Sequence, residues 1–217
     1  MIRRRLLLGL LWLALSARGA PPLVVLVSLD GFRWDYLEKY REETPQLRRL
    51  AAEGVRAERL IPCFPTQTFP NHYSIATGLC PVGDSAAGLV ERRRRAAAPH
   101  VRVWLREAVP ARLHYRDNPR IPPVILLADE GWEIRTRAEA KAWKHPERGE
   151  HGYDNELGSM GAVFIAGGPA FRRGAVIAPV ENIQIYNLLC TVLGLRPSPN
   201  DGDDRLAAAA LAPAAGP

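Results

Sequence analysis

The chain has 217 residues and 47% hydrophobic content, enough for one α/β domain with a substantial core. Its formal charge is +6, but residues 1–20 hold four arginines and no acidic residue, so the remainder carries only +2. The run Arg92–Arg95 supplies more than that excess. The charge therefore does not indicate specific nucleic-acid binding, and the run is interpreted as a solvated loop or junction rather than a polyanion patch.

The first 20 residues predict a targeting segment. Arg3–Arg5 form a basic N-terminal region, Leu6–Leu15 form an apolar stretch, and Ala17–Ala20 form a small-residue segment of the kind found at cleavage sites. This pattern is typical of a secretory signal peptide, or of an uncleaved N-terminal anchor. The apolar stretch is short for a membrane span, and no second one follows. We therefore expect a secreted or periplasmic protein with no transmembrane segment beyond this one.

The three cysteines then meet oxidising conditions, in which one bridge and an odd thiol can form, although the sequence does not fix the pairing. They are Cys63, Cys80 and Cys190. Cys190 lies on the apolar face of a helical pattern, which indicates a core position.

In chain order, the first predicted element is a strand over Leu23–Leu29, a continuous apolar run typical of a strand buried on both faces of a parallel sheet. Asp30 follows at its carboxyl end, where ligands collect in open α/β sheets. A helix is predicted from Thr44-Pro45 to a stop at Gly54, and Val55–Leu60 indicates the next strand.

Thr68 lies in a polar and aromatic cluster that precedes the next helix. Pro70 suits the first turn of that helix, and Gly78 suits its end. Thr68 is thereby expected at a helix N-terminus, where free N–H groups and the helix dipole favour a bound phosphate or a developing alkoxide. Together with Asp30, it suggests metal-assisted nucleophilic attack on phosphorus. The alternative is that Thr68 is simply a helix cap.

The second half of the chain begins with a non-periodic stretch over residues 81–98, which indicates a loop. Strands are predicted at Val124–Ala128 and Ala162–Ala166, and a helix at Glu181–Leu193 that ends at Gly194. The Ala/Pro-rich tail Ala207–Pro217 is predicted to be disordered.

A glycine-flanked histidine, His151, completes the candidate chemistry. Aspartate and histidine are zinc ligands, and a zinc-activated hydroxyl can attack a phosphodiester, so Asp30, Thr68 and His151 are expected to converge on one site. The alternatives are an Asp-Gly turn at Asp30 and an ordinary loop histidine at His151.

Several segments together resemble the ectonucleotide pyrophosphatase/phosphodiesterase family. The resemblance covers roughly residues 22–85 and 100–203, and it is carried by residues 26–33, 65–79, 123–132, 150–155, 164–174 and 181–195. It implies an alkaline-phosphatase-like α/β fold, with a mostly parallel sheet and helices on both faces. Sulfatases and alkaline phosphatases proper share that fold but lack the Thr-Phe-Pro-Asn-His sequence at residues 68–72.

The resemblance also implies a mechanism with two zinc ions. Carried over, Thr68 is the nucleophile and a ligand of one zinc, Asp30 ligates the same zinc, and His151 ligates the other. The substrate implied is a small-molecule nucleotide or other phosphodiester, which passes through a covalent nucleotidyl intermediate. The substrate-binding residues are not identified.

The family's other metal ligands are missing from this sequence. No aspartate is followed by a histidine directly or four residues later, as the family requires. We therefore expect an internally deleted catalytic domain with an incomplete zinc site: an N-terminal part at 21–85, a junction loop at 86–99 and a C-terminal part at 100–206. We also expect apolar faces of Leu23–Leu29 and Val124–Ala128 to be uncovered. The alternative to an active hydrolase is an inactive truncated or spliced fragment.

Overall fold

The structure, a computed structural model, describes residues 22–80, 99–135, 137–143 and 149–213. The predicted signal segment 1–20, most of the junction loop and the last four tail residues lie outside these ranges. Helices within them are α1 Tyr36–Lys39, α2 Pro45–Glu53, α3 Thr68–Thr77, α4 Arg137–Ala142, α5 Gln184–Leu193 and α6 Arg205–Ala210. Strands are β1 Val55–Ala57, β2 Leu60–Ile61, β3 Val101–Leu105, β4 Val124–Ala128, β5 Ile165–Ala166, β6 Ala175–Ile177 and β7 Val180–Glu181.

Short strands form three sheets in which parallel and antiparallel pairs both occur. The central β1 pairs antiparallel with β5 and parallel with β6. The second sheet is the parallel pair of β2 and β7, and the third is the antiparallel pair of β3 and β4. The α/β class expected from the sequence is confirmed. The predicted strand Val55–Leu60 is divided into β1 and β2, and of Ala162–Ala166 only the last two residues form a strand.

Helix α2 follows its sequence signals closely. Pro45 occupies the first turn, where its missing N–H costs no hydrogen bond. The helix ends at Gly54, whose N–H donates to the carbonyl of Leu50. A side chain at Gly54 would lie 2.1 Å from the Ala166 carbonyl oxygen, so the glycine allows α2 and β5 to approach closely.

The larger apolar core lies between the β1 sheet and the two C-terminal helices. It contains Val55, Ala57, Leu60, Phe164, Val180, Ile185, Leu188, Leu206, Ala207 and Ala210. Helix α5 contributes the apolar face predicted for it, although it begins at Gln184 rather than Glu181. It ends as predicted, at Gly194 in the left-handed conformation with a φ of 67°.

The prediction of a disordered tail over Ala207–Pro217 is wrong for residues 207–210, and the last four residues lie outside the described ranges. Residues 205–210 form α6, and the side chains of Leu206 and Ala210 are completely buried. Alanine has the highest helix propensity, and its small side chain allows α6 to pack closely on α5 and β6. Packing of this face therefore orders an alanine-rich stretch that composition alone assigned to disorder.

The prediction that Val124–Ala128 would be uncovered is also wrong. Strand β4 is buried at four of its five residues, because β3 pairs with it along its full length. The residues that follow β3 complete a second core beneath it. This core contains Phe64, Val109, Leu113, Tyr115, Ile121, Ile125 and Leu127, with Trp104 packed against it.

By contrast, Leu23–Leu29 is exposed and is not a strand. The side chains of Leu23, Val25 and Val27 are 90%, 79% and 71% exposed. A strand exists only where neighbouring backbone completes its hydrogen bonds, and none of the described strands lies alongside this segment. The expectation of an uncovered apolar face is confirmed for this segment, whereas the predicted buried strand is not. No helix in the described ranges has the length and apolar character needed to cross a membrane.

Candidate active site

Helix α3 presents Thr68 at its first helical position. The preceding residue, Gln67, is the N-cap and has extended backbone angles. Pro70 lies in the first turn, and Gly78 ends the helix in the left-handed conformation with a φ of 70°. Thr68 is therefore not the cap. Its hydroxyl instead donates a hydrogen bond of 3.3 Å to Oδ1 of Asp30.

Asp30 reaches Thr68 from a turn that follows the exposed segment 22–29. Gly31 occupies this turn with a φ of 64°, a conformation that favours glycine. The Asp-Gly pair thus forms the turn expected from its composition, and its carboxylate also contacts the candidate nucleophile. The two interpretations of Asp30 are compatible.

A second link between the exposed segment and α3 was not predicted. Ser28 Oγ and His72 Nδ1 share a hydrogen bond of 2.7 Å. His72 follows Thr68 by four residues, so both side chains lie on the same face of α3. Ser28 precedes Asp30 by two residues in an extended chain, so these two side chains also point to one side. These matching spacings are the signal in the sequence that could have identified the contact.

His151 lines the same cavity as Asp30 and Thr68, which has a volume of about 730 Å³. Hydrogen bonds to Thr66 hold the loop that carries His151 at this cavity. The Thr66 hydroxyl donates to the Tyr153 carbonyl at 3.0 Å and accepts from the Gly152 N–H at 2.9 Å. The Gly152 N–H also donates to the Thr66 carbonyl at 3.0 Å. The structure thus brings the three predicted residues to one cavity, with a direct contact between Asp30 and Thr68.

Asn71 braces the loop that leads into α3. Its side-chain oxygen accepts hydrogen bonds from the Cys63 N–H and from Asn182 Nδ2, each at 2.7 Å. Its Nδ2 donates to the carbonyls of Cys63, Pro65 and Gln67. These bonds satisfy the backbone of the turn that leads to Thr68, so Asn71 positions the segment that carries the candidate nucleophile.

Asp154 holds the His151 loop to the β3–β4 unit. Its carboxylate accepts two hydrogen bonds of 2.8 Å from Arg112 and one of 3.0 Å from Arg102. The side chain is only 6% exposed. Hydrogen bonding from Arg112 lowers the pKa of Asp154 to about 2, against the opposing effect of burial. A buried carboxylate with two guanidinium neighbours therefore fixes the loop three residues beyond His151.

The charges around the cavity are mainly negative. Of the lining side chains, Arg33 forms a salt bridge with Asp35, whose pKa it lowers, and Glu133 forms one with Arg135. The charged side chains that line the cavity are Asp30, Glu130, Glu133, Glu150, Arg33 and Lys39, and four of these six are acidic. Without added cations, this lining disfavours a phosphate anion.

The residues present do not fit two zinc ions. Within the described part of the chain, no group of three His, Cys, Asp or Glu side chains is placed to hold a metal. A zinc site takes three or four protein ligands, whereas Asp30 and Thr68 supply two oxygen atoms in contact. The described residues therefore fall short of even one complete zinc site.

Comparison with known proteins identifies relatives of part of the chain. The family model for type I phosphodiesterase/nucleotide pyrophosphatase matches residues 24–84 and 82–154. Bovine bis(5'-adenosyl)-triphosphatase ENPP4 is 44% identical over 104 residues, which are 48% of this chain and 22% of that protein. This chain therefore spans less than a quarter of the length of that curated relative.

Solved structures of ectonucleotide pyrophosphatase/phosphodiesterase 5 share the fold. The human protein aligns with a TM-score of 0.72 at 19% identity, covering 87% of this chain and 100% of the other. A murine structure, described as an inactive threonine-to-alanine variant in complex with AMP, aligns with a TM-score of 0.69 at 17% identity, covering 85% and 98%. The family match spans more than half of the residues, and the chain belongs to the type I phosphodiesterase/nucleotide pyrophosphatase family.

Proposed function

We propose that this chain contains the part of the active site of a nucleotide phosphodiester and pyrophosphate hydrolase that holds the nucleophile, and that Thr68 is this nucleophile. The hydrogen bond from Thr68 to Asp30, at the N-terminus of α3 and within the cavity, is the observation that carries the proposal. The inactive threonine-to-alanine variant named for murine ENPP5 supports it. The substrate proposed is a small-molecule nucleotide, in keeping with the triphosphatase name of the bovine relative.

Each residue has a defined part in this chemistry. Asp30 accepts the hydroxyl proton while Thr68 Oγ1 bonds to phosphorus. The bond from phosphorus to the leaving oxygen breaks, and Asp30 passes the proton on to that oxygen. We assign the stabilisation of the developing negative charge to the N–H groups of Thr68 and Phe69 at the N-terminus of α3, since Pro70 has no N–H. Water then hydrolyses the nucleotidyl-threonine and restores the hydroxyl. His151 lies on the cavity wall, and we propose it as a ligand in the complete family site.

We further propose that the chain as it stands has little or no turnover. A neutral threonine is a weak nucleophile unless a strong electrophilic or basic neighbour activates it. Asp30 is one carboxylate, and the cavity lining around it is mainly acidic. Metal cations would offset the charge that repels a phosphate, but the part of the chain that the structure describes has no ligand group able to hold one.

Turnover of p-nitrophenyl thymidine monophosphate with added zinc tests the proposed inactivity, and any turnover that occurs tests Thr68 as the nucleophile. The wild-type chain is compared with Thr68→Ala and with Thr191→Ala, an exposed threonine on α5 that serves as the matched control. We expect all three to stay near the buffer rate. Robust zinc-dependent turnover that Thr68→Ala abolishes and Thr191→Ala retains would refute inactivity and support Thr68 as nucleophile. Turnover that Thr68→Ala leaves intact would refute the nucleophile assignment.

The encoding DNA provides an independent test of the deletion. Coding sequence for the missing metal ligands, lying between the codons for Asp84 and His100, would identify this chain as a shortened product of a complete enzyme. A continuous reading frame with no such interval would instead identify a short protein that lost the ligands in evolution. The proposed secretion is tested by locating the mature N-terminus after expression in a secreting host.

A further inference from the structure

Two cysteines lie in contact at opposite ends of the segment that carries Thr68. Cys63 follows β2 in the loop that leads to α3, and Cys80 comes two residues after Gly78, where α3 ends. Their sulfur atoms are 3.9 Å apart, and both are free thiols. The contact therefore closes a loop that contains the whole nucleophile helix.

Both sides of this contact are held by other hydrogen bonds. The Cys63 N–H donates to Asn71 Oδ1 at 2.7 Å, and its thiol donates to Asn182 Oδ1 at 3.0 Å. The Cys80 N–H donates to Asp201 Oδ2, also at 2.7 Å. These bonds fix both cysteine backbones, so the pairing of the two sulfur atoms follows from the fold of the chain.

The two thiols differ in accessibility. Cys63 is 8% exposed, whereas Cys80 is only partly buried and is the one that a small oxidant reaches first. Contact with Cys63, burial, and the charges of Asp201 and Glu181 raise the pKa of the Cys80 thiol. A raised pKa lowers the thiolate fraction of Cys80 at neutral pH, so thiol–disulfide exchange there is expected to be slow.

We propose that Cys63 and Cys80 are a modification site at which a small-molecule disulfide introduces an intrachain disulfide bond across the Thr68 segment. A sulfur–sulfur bond needs about 2.05 Å, so the two sulfur atoms must approach from 3.9 Å for the bond to form. This inference does not depend on the proposed catalytic function, because it rests on the thiol contact alone.

The reaction is ordinary thiol–disulfide exchange with oxidised glutathione. The Cys80 thiolate attacks one glutathione sulfur, forms a mixed disulfide and releases one glutathione. The Cys63 thiolate then attacks Cys80 Sγ and releases the second. The two cysteines lose two protons and two electrons, and these reduce one glutathione disulfide to two glutathione thiols.

Alkylation followed by tryptic mass spectrometry provides the direct test. No Lys or Arg lies between Leu60 and Glu91, so Cys63 and Cys80 remain in one tryptic peptide, while Cys190 falls in another. After the full chain is treated with oxidised glutathione, we expect the first peptide to be unalkylated and two hydrogens lighter. Cys190, buried in α5, should become alkylated after denaturation. Cleavage after Tyr73 by chymotrypsin should then leave the two halves joined until they are reduced.

Three variants complete the experiment. Cys63→Ser and Cys80→Ser should each abolish the bridge, and Cys190→Ser, the matched control, should retain it. Oxidation should raise the Tm of the wild type and of Cys190→Ser by several degrees, and leave the other two unchanged. Full alkylation of both cysteines in the oxidised wild type, a stable glutathione adduct without bridge formation, or a bridge to Cys190 would each overturn the proposal. The wild-type result stands even where a variant fails to fold.

Discussion

Asp154 allows the energetics of the His151 loop to be tested quantitatively. The change Asp154→Asn removes the negative charge that Arg112 and Arg102 surround, while it preserves the size of the side chain. The pKa of this carboxyl falls from its ordinary value of 3.8 to about 2 in the folded chain. That difference corresponds to about 2 kcal/mol of stability at neutral pH, because each unit is worth about 1.4 kcal/mol.

The pH dependence follows from the direction of this change. A carboxyl with a lowered folded-state pKa contributes stability above the unfolded-state value of 3.8 and loses it as the pH falls through about 2. We therefore expect Asp154→Asn to lower the free energy of unfolding by about 2 kcal/mol at pH 7 and at pH 5. At pH 3 the difference from wild type should shrink to about 1 kcal/mol, since the unfolded wild type is then largely protonated.

Urea unfolding at pH 7, 5 and 3 measures these differences. The matched control is Glu156→Gln, because Glu156 also lies 3.3 Å from Arg112 but its side chain is 66% exposed. That change should cost less than about 0.5 kcal/mol at pH 7 and pH 5, as for other exposed ion pairs. An Asp154→Asn loss that is equal at pH 7 and pH 3 would refute the reasoning, because it would assign the loss to packing instead of charge.

Two further predictions concern burial. Leu206→Ala should lower the free energy of unfolding by about 2–5 kcal/mol, because Leu206 is completely buried between α6 and α5. The control Leu195→Ala, at a residue 59% exposed, should change the free energy of unfolding by less than about 0.5 kcal/mol in the same urea experiment. Equal losses in the two variants would contradict the assignment of α6 to the core. The double change Val25→Thr and Val27→Thr should alter stability by less than about 0.5 kcal/mol and reduce aggregation measured by light scattering, because both side chains are exposed. A loss of more than about 1 kcal/mol would show that this segment is buried in solution.

Local sequence signals predicted the elements whose ends are set by their own residues. Pro45 and Gly54 delimit α2, and Gly78 and Gly194 end α3 and α5, because these residues act through backbone conformation within a single turn. The catalytic candidates Thr68 and Asp30 followed from the same positions, at the start of a helix and after an apolar run. Their mutual contact joins residues 38 positions apart and was decided by the tertiary structure.

Predictions that depended on long-range pairing were less successful. Leu23–Leu29 has the composition of a buried strand, yet it remains exposed because a strand cannot supply its own neighbours. Val124–Ala128 has a similar composition but is buried, because β3 lies beside it. Composition alone does not distinguish these two runs.

The sequence by itself determined the family through the order of residues along several segments, and it determined the helix ends and the nucleophile candidate because these depend on residues close together in the chain. Only the tertiary structure decided that α6 joins the core, that Thr66 brings His151 to the cavity of Thr68, and that Cys63 meets Cys80. The physical reason is that burial and contact arise between segments far apart in sequence, and their free energy exists only once the chain has folded around them.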